Sequence, residues 1–267
     1  MTDVSDSIIL EITDGIAYVT LNRPRQRNAI TQAMVSELSE ALKRVEANSQ
    51  ARVLVIRGAG DHFMAGGDVG GFEQALGMAR EARSGHFEQL VQSFSPVVFT
   101  VRRMPQPVIV SVRGVAAGLG VSLILAADLA IASEGASFVP AYVRLGTTPD
   151  GGLTYFLPRV VGFKQATEIV LFGDRFGARR AMSLGIVNAV VGEADLDRET
   201  HSWASRLARG ASGAIAATKR LLEASRANSL AAQLQAEAES FALCALTEEF
   251  EEGVNAFVQK RNPEFDK

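Results

Sequence analysis

Apolar residues recur along the chain in two patterns that alternate over most of its length. Short runs rich in β-branched residues, separated by turn residues, predict β-strands. These runs are Ile8 to Ile12, Ile16 to Leu21, Val53 to Arg57, Val108 to Val112, Leu129 to Ala132 and Ile186 to Val191. Asp14-Gly15 predicts a hairpin between the first two runs. Three runs are almost wholly apolar, which is typical of strands covered on both faces.

Between these runs the apolar residues follow a helical period. Thr31 is a candidate N-cap for a helix whose apolar stripe comprises Met34, Val35, Leu38, Leu42 and Val45. Further helices are predicted over Lys164 to Leu171 and over Ala178 to Leu184, the second ending at Gly185. Strands that alternate with helices in this way predict an α/β fold.

After Asp197 the strand pattern stops and helical periodicity continues to the end. Helices are predicted over Trp203 to Arg226, Leu230 to Phe241 and Glu248 to Lys260. We therefore predict an α/β core over residues 1–197, which binds and transforms the substrate, and a helical subdomain over 198–267. The long apolar faces of that subdomain predict packing against another subunit.

Charge and composition exclude several classes of function. The net charge is −3, from 27 basic and 30 acidic residues, with no long run of either sign. Nucleic acid and membrane are therefore not expected partners. One cysteine and three scattered histidines provide no metal-ligand spacing, so no metal is expected. The N-terminal stretch lacks a basic region before an apolar segment, and a cytoplasmic protein is predicted.

Two glycine-containing loops are the first candidates for chemistry. One runs from Gly60 to Asp68 after the strand at Val53, and the other runs from Arg113 to Gly120 after the strand at Val108. The second loop opens an apolar helix, whose first turn presents unpaired N–H groups. Two such loops together can hold one oxygen between two backbone amides, which is an oxyanion hole for a thioester carbonyl that becomes an enolate.

Six motifs in order carry a resemblance to a known family over almost the whole chain. They are RPRQRNAI (Arg23 to Ile30), FMAGGD (Phe63 to Asp68), PVIVSVRGVAAGLG (Pro107 to Gly120), the AADLAIAS strand with Asp128, FVPAYVRLGTTPDGG (Phe138 to Gly152) and the C-terminal EGVNAFVQKRNPEF. The chain resembles the crotonase (enoyl-CoA hydratase/isomerase) family. The resemblance implies a spiral of ββα units with a C-terminal helical trimerisation subdomain, assembled as a homotrimer or a dimer of trimers.

The resemblance also implies an acyl-CoA thioester as substrate, with coenzyme A as part of that substrate and no other cofactor. It implies that the oxyanion amides belong to Ala65 and Leu119. Substrate contacts are expected from residues of the two loops and from four residues near the nucleotide. The loop residues are Phe63, Met64, Gly66, Asp68 and Gly118, and the nucleotide residues are Arg25, Arg27, Phe257 and Lys260, the last two reaching the ligand from a neighbouring subunit. A purely solvated role stays open for the cations, and a structural one for Asp68 and Asp128.

The chain departs from the hydratases of this family at two positions. Those hydratases use two glutamates to manage water, and the matching positions here are Ser122 and Tyr142, both counted among the substrate-binding candidates. A serine hydroxyl and a phenol are poor general bases near neutral pH. Tyr142 is expected either to donate a hydrogen bond to the acyl group or to line the pocket.

Asp150, in the segment Thr148 to Gly152, is the candidate catalytic base. An aspartate in this turn also suits the N-cap of a helix starting at Leu153, so both interpretations stay open. The segment is similar to that of ring-1,2-epoxyphenylacetyl-CoA isomerases. A family dehalogenase would instead need a histidine where Ser95 stands.

Three functions follow from these residues. An enoyl-CoA isomerase with Asp150 as its single base is favoured, and an epoxyphenylacetyl-CoA isomerase is a special case of it. An enoyl-CoA hydratase and a non-catalytic CoA-ester-binding protein are the alternatives.

Overall fold

A computed structural model describes residues 2–4 and 7–265 of the chain, with side chains over 7–265. The strands are β1 (Thr2–Val4), β2 (Ile8–Thr13), β3 (Ile16–Leu21), β4 (Val53–Gly58), β5 (Val108–Val112), β6 (Val115–Ala117), β7 (Leu129–Ser133), β8 (Ser137–Val139), β9 (Phe176–Gly177) and β10 (Ala189–Val191). The helices that precede the C-terminal region are α1 (Gln32–Glu46), α2 (Val69–Ala75), α3 (Arg80–Ser93), α4 (Ser95–Arg103), α5 (Leu119–Ala126), α6 (Leu153–Val161), α7 (Phe163–Phe172) and α8 (Ala178–Ser183).

Four more helices complete the described chain. They are α9 (Leu196–Ala208), α10 (Ser212–Ala224), α11 (Leu230–Cys244) and α12 (Glu248–Gln259). Short 3₁₀ turns lie at Pro24–Gln26, Tyr142–Leu145 and Glu193–Asp195. Within the described residues, no helix is both long and apolar enough to cross a bilayer.

The strands form two sheets between which the chain alternates. The larger sheet has the order β1-β2-β3-β4-β5-β7-β10, antiparallel from β1 to β3 and parallel from β3 onwards. The smaller sheet has the order β6-β8-β9. Consecutive strands β5 and β6, and then β7 and β8, place one member in each sheet before a helix follows. This is the spiral of ββα units that the sequence predicts, and the predicted fold class is confirmed.

The apolar strands of the large sheet are covered on both faces. Along β4, Leu54 and Ile56 join the main core under α1, α4 and α5, whereas Val53 and Val55 join a second cluster under α9. The alternation follows from the two-residue period of a strand, and it confirms the expectation of strands buried on both sides.

The predicted element types agree with the structure except at two places. Thr31 caps α1 by accepting a hydrogen bond from the Met34 amide, as predicted. The strand predicted from Ile186 is shorter and begins at Ala189. The continuous helix predicted from Trp203 to Arg226 is wrong, because the chain leaves the helix around Gly210 before α10 begins.

The carboxylate of Asp128 ties α10 to the core. It accepts a hydrogen bond from the Val108 amide at 2.8 Å and pairs with Lys219 Nζ at 2.7 Å. Lys219 Nζ also donates to the carbonyl oxygens of Val101 and Gln106, both at 2.9 Å. The structural role expected for Asp128 is confirmed. The division into domains at residue 197 stays a prediction, since α9 begins at Leu196 and covers the sheet itself.

Candidate active site

The first glycine loop is fixed between two other segments by backbone hydrogen bonds. Met64 pairs with Ala116 of β6 as a parallel bridge, and its carbonyl accepts the Ala117 amide at 2.8 Å. Three residues further on, Gly67 is paired with Ile30, and Gly66 and Asp68 make the two hydrogen bonds of that bridge. In a parallel bridge the paired residue directs its own N–H to the opposite side. The Gly67 amide therefore faces away from Ile30.

The Ala65 amide is not free to bind an oxyanion. It donates to the carbonyl oxygen of Arg27 at 3.0 Å, which holds the loop against the segment before α1. The assignment of Ala65 as an oxyanion donor is therefore wrong in this structure. Within residues 7–265 the Gly67 amide donates no hydrogen bond to protein, and Gly67 replaces Ala65 as the candidate donor from this loop.

The second glycine loop supplies the other candidate donor. Gly118 adopts a left-handed φ of 47° and acts as the N-cap of α5, which a residue with a Cβ would rarely do. Leu119 is the first residue of that helix, so no preceding turn provides an acceptor for its N–H. In the described part of the chain its amide has no hydrogen-bond partner. The donor assigned to Leu119 from sequence agrees with this geometry.

The two loops approach each other so closely that only glycine fits between them. A Cβ placed on Gly66 would lie 3.2 Å from the Ala117 carbonyl oxygen, and a Cβ on Gly120 would lie 2.6 Å from the Met64 carbonyl oxygen. Gly66 and Gly120 are therefore needed for the contact between the loops, and the Gly67 and Leu119 amides follow and precede these two glycines along the chain.

Both amides open onto one cavity of about 890 Å³. Its wall is mainly apolar and is completed by α2, α3 and the segment from Ala141 to Asp150. Phe72 and Phe87 meet edge to face on this wall, with ring centroids 5.2 Å apart. Two carboxylates line the cavity in the described chain: Glu73, which is exposed on α2, and Asp150, which is half-buried.

Asp150 belongs to a hydrogen-bonded group with Tyr142 and Ser122. The Tyr142 hydroxyl donates to Asp150 Oδ1 at 2.6 Å, and Ser122 Oγ donates to the Asp150 carbonyl oxygen at 2.9 Å. Ser122 Oγ also lies 3.2 Å from the Tyr142 hydroxyl oxygen. The helix α6 is capped by Gly152 with no side-chain hydrogen bond. The capping role considered for Asp150 is therefore wrong, because its side chain bonds to Tyr142 instead.

Burial changes the proton affinity of both members of this pair. Loss of solvation raises the pKa of the Asp150 carboxyl above its usual value, and the hydrogen bond from Tyr142 offsets part of that rise. Burial, followed by the nearby Asp150 carboxylate, raises the pKa of the Tyr142 phenol far above its ordinary value. Tyr142 is thus a neutral donor near pH 7, and Asp150 is the group whose pKa moves toward the range of a general base.

Several predicted contact residues lie elsewhere. Phe63 and Met64 are fully buried in the main core and do not line the cavity, so their assignment to substrate binding is wrong. Both side chains pack in the main core instead. Asp68 caps α2 by accepting from the Gly70 amide, and it pairs with Arg23 at 3.4 Å. Asp68 therefore has the structural role rather than the binding one. Gly66, Gly118 and Tyr142 do line the cavity.

The residues predicted near the nucleotide are all on the surface. Arg25 and Arg27 are exposed on and after the first 3₁₀ turn, and Lys260 is exposed where α12 ends. Phe257 is 86% exposed on α12. These four residues do not line the cavity of the single chain, and their contact with coenzyme A stays a prediction.

Sequence reasoning missed Gly67 and the apolar wall on α2 and α3. The pairing of Gly67 with Ile30 leaves the Gly67 amide free and so identifies it as a donor. This pairing joins two segments that are distant in sequence. The wall has a weaker signal, since Phe72, Leu76, Phe87, Val91 and Phe94 recur at helical spacing in a segment that is otherwise polar.

Comparison with known proteins agrees with this fold. The family model described as Enoyl-CoA hydratase/isomerase matches residues 11–267. A Rhodobacter capsulatus protein named "Probable enoyl-CoA hydratase" is 38% identical over 97% of both chains. The 1,2-epoxyphenylacetyl-CoA isomerase of Escherichia coli is 34% identical, again over 97% of each. A crystal structure of an enoyl-CoA hydratase from Polaromonas sp. JS666 superposes with a TM-score of 0.89 at 33% identity, covering 97% of this chain and 99% of that one.

The chain therefore belongs to the enoyl-CoA hydratase/isomerase family, which is the crotonase family. Members of this family act on acyl-CoA thioesters, and the chain is a family enzyme of that kind.

Proposed function

We propose that this enzyme is an enoyl-CoA double-bond isomerase that uses Asp150 as its single base. The observation that carries the proposal is that Asp150 lines the same cavity as Gly67 and Leu119, whose amides are free. A half-buried carboxylate with a raised pKa can accept a carbon-bound proton, and two amides can stabilise the oxyanion that results.

The reaction requires one proton to leave and return. The Asp150 carboxylate takes a proton from the α- or γ-carbon of an unsaturated acyl-CoA, so that the C–H bond breaks and an O–H bond forms. The electron pair moves into a dienolate whose oxygen accepts hydrogen bonds from Gly67 and Leu119. The protonated Asp150 then returns the proton to the other end of the conjugated system, and the double bond has moved.

A hydratase is the second candidate, and the names of the Rhodobacter and Polaromonas proteins favour it. Hydration needs one group to activate water and another to protonate carbon. Ser122 and Tyr142 stand where hydratases of this family have their glutamates. Ser122 is fully buried and Tyr142 retains its proton, so neither side chain provides a base for water. For this reason the isomerase is preferred.

The cavity supports a bulky acyl group. Its volume of about 890 Å³ and the paired rings of Phe72 and Phe87 suit a long aliphatic or an aromatic acyl chain. The similarity to the E. coli 1,2-epoxyphenylacetyl-CoA isomerase makes an aromatic substrate the leading special case.

The nucleotide site is proposed to be completed by assembly. Large apolar side chains are exposed along the last two helices and the turn between them, among them Leu234, Phe241, Leu246, Phe257 and Val258. Water contact over such a surface is unfavourable, which supports a homotrimer or a dimer of trimers. In that assembly Phe257 and Lys260 would approach the coenzyme A of a neighbouring subunit, while Arg25 and Arg27 would approach it from the same chain.

Asp150→Asn tests the proposal and separates it from a protein that binds CoA esters without turnover. The amide keeps an oxygen for Tyr142 but cannot accept a proton from carbon, so we expect kcat for 3-enoyl-CoA isomerisation to fall about 10²–10⁴-fold. The dissociation constant for hexanoyl-CoA, measured by calorimetry, should change little. Asp195→Asn, on an exposed carboxylate paired with Arg198, is the matched control. Unchanged turnover in Asp150→Asn would remove Asp150 from the mechanism.

A further inference from the structure

Hydrogen counting assigns a direction to each bond in the group formed by Ser122, Tyr142 and Asp150. The Asp150 carbonyl oxygen carries no hydrogen, so the bond of 2.9 Å to Ser122 Oγ uses the single hydrogen of the serine hydroxyl. Ser122 therefore has none left for Tyr142, and the contact of 3.2 Å between the two hydroxyl oxygens can only be donated by Tyr142.

The Tyr142 hydroxyl also has a single hydrogen and two acceptors within reach. Asp150 Oδ1 lies at 2.6 Å and Ser122 Oγ at 3.2 Å. The carboxylate oxygen is closer and carries charge, and a charge-assisted hydrogen bond is stronger than a neutral one. The hydrogen of Tyr142 is therefore directed at Oδ1. Oδ2 accepts no hydrogen bond from any other residue in the described chain.

From this arrangement we propose that Tyr142 is a positioning residue that holds Asp150 Oδ1 and leaves Oδ2 as the oxygen that carries the proton. The proposal deepens the isomerase mechanism and rests on Asp150 being its base. Oδ2 forms the O–H bond when the C–H bond of the substrate breaks, and the same oxygen gives the proton back at the second carbon. Tyr142 keeps its own hydrogen throughout and takes no part in the transfer.

Ser122 fixes the other end of the same residue. Its hydroxyl holds the Asp150 carbonyl, and its side chain is 0% exposed on α5, the helix that begins with the Leu119 amide. The backbone of Asp150 is thus attached to the element that provides an oxyanion donor, while its carboxyl plane is set by Tyr142. Rigid support of this kind holds the Asp150 carboxylate in a fixed position, from which it can reach both the α- and the γ-carbon of the acyl chain.

Tyr142→Phe isolates the hydroxyl from the ring. Tyr142 is buried, at 8% exposed, and a phenyl ring of the same size keeps the packing. The change removes only the donor to Oδ1. Loss of that donor destabilises the ionised carboxylate, because the hydrogen bond favours the charged form. The Asp150 carboxyl of the variant therefore ionises at a higher pH than that of the wild type.

The experiment measures exchange of the α-proton of trans-3-hexenoyl-CoA and phenylacetyl-CoA in deuterated buffers, followed by mass spectrometry over a range of pD. In the wild type the exchange rate rises with pD as Asp150 ionises and then reaches a plateau. In Tyr142→Phe we expect this acidic limb to move to higher pD, with exchange at a fixed pD on the limb lowered about tenfold or more. Tyr155→Phe, which removes a hydroxyl from an exposed ring on α6 outside the cavity, should leave the limb in place.

Four results would overturn the proposal, two through Tyr142 and two through the function on which it rests. A Tyr142→Phe limb that stays in place, with circular dichroism and melting temperature changed or not, would mean that the ring only packs. Loss of exchange in Tyr142→Phe at every pD would mean that Tyr142 is itself a proton carrier. Full exchange in Asp150→Asn, or no exchange of either ester by the wild type, would instead remove the proposed function on which this inference rests.

Discussion

Leu119→Pro removes one unpaired backbone N–H from the cavity, with little expected change in the helix to which Leu119 belongs. Leu119 is the first residue of α5, and this is the helical position that accepts proline best, since its N–H has no acceptor within the helix. Gly118, which precedes it, has a ψ of −116°, outside the helical region that a following proline disfavours. The substitution therefore deletes the proposed oxyanion donor while the helix is retained.

The magnitude follows from the number of donors at the site. Two backbone amides, from Gly67 and Leu119, are free to hold the enolate oxygen. Loss of one oxyanion donor typically lowers kcat by about 10²–10³, or about 2.7–4 kcal/mol of transition-state stabilisation. Leu119→Ala is the matched control, because it loses the same buried side chain but keeps the N–H. The effect of the lost N–H is the ratio of kcat between Leu119→Ala and Leu119→Pro.

The assay is isomerisation of a 3-enoyl-CoA, with the absorbance of the conjugated 2-enoyl thioester that forms as readout. Melting temperatures of Leu119→Pro and Leu119→Ala establish that both variants are folded to a similar extent. We expect the proline variant to be at least about a hundredfold slower than the alanine variant. A ratio within about threefold, with both variants folded, would contradict an oxyanion role for this amide.

Two further predictions concern stability. Lys219→Met leaves the Asp128 carboxylate without its nearest cation, in a site where Lys219 is only 7% exposed. Urea unfolding at fixed protein concentration should show that the free energy of unfolding falls by about 3–5 kcal/mol. The control Lys43→Met, at an exposed position, should show almost no loss. Asp150→Asn should melt at a higher temperature than the wild type at pH 7. Burial raises the pKa of Asp150, so the wild type loses stability as the pH rises from the ordinary pKa of the carboxyl to the raised pKa. The difference in melting temperature should disappear in acid, and a wild type that melts higher than the variant at pH 7 would refute the prediction.

The elements could be predicted from sequence where the pattern was local. Thr31 and the stripe behind it define α1, and Asp14-Gly15 defines the first hairpin, in which both residues have positive φ. The break at Gly210 was missed because a single glycine within a helical pattern does not by itself end a helix. Its carbonyl accepts from Arg52, a residue on a distant segment.

The site was predicted in part, and the missing part depends on distant partners. Asp150 and Tyr142 were both identified, but the bond of 2.6 Å between them depends on the 3₁₀ turn and the glycines that fold the segment back. The choice between the Ala65 and Gly67 amides depends on where the carbonyl of Arg27 lies. No local pattern in the first glycine loop carries that information.

We propose that this enzyme moves a proton within an enoyl-CoA and adds no water. The most direct test incubates the purified protein with cis-3-, trans-3- and trans-2-enoyl-CoA esters of several chain lengths in deuterated water and measures product masses. We expect deuterium incorporation and a shifted double bond, with no gain of the mass of water, and loss of both in Asp150→Asn. A product heavier by one water molecule, formed at a comparable rate, would show that the enzyme is a hydratase and not an isomerase.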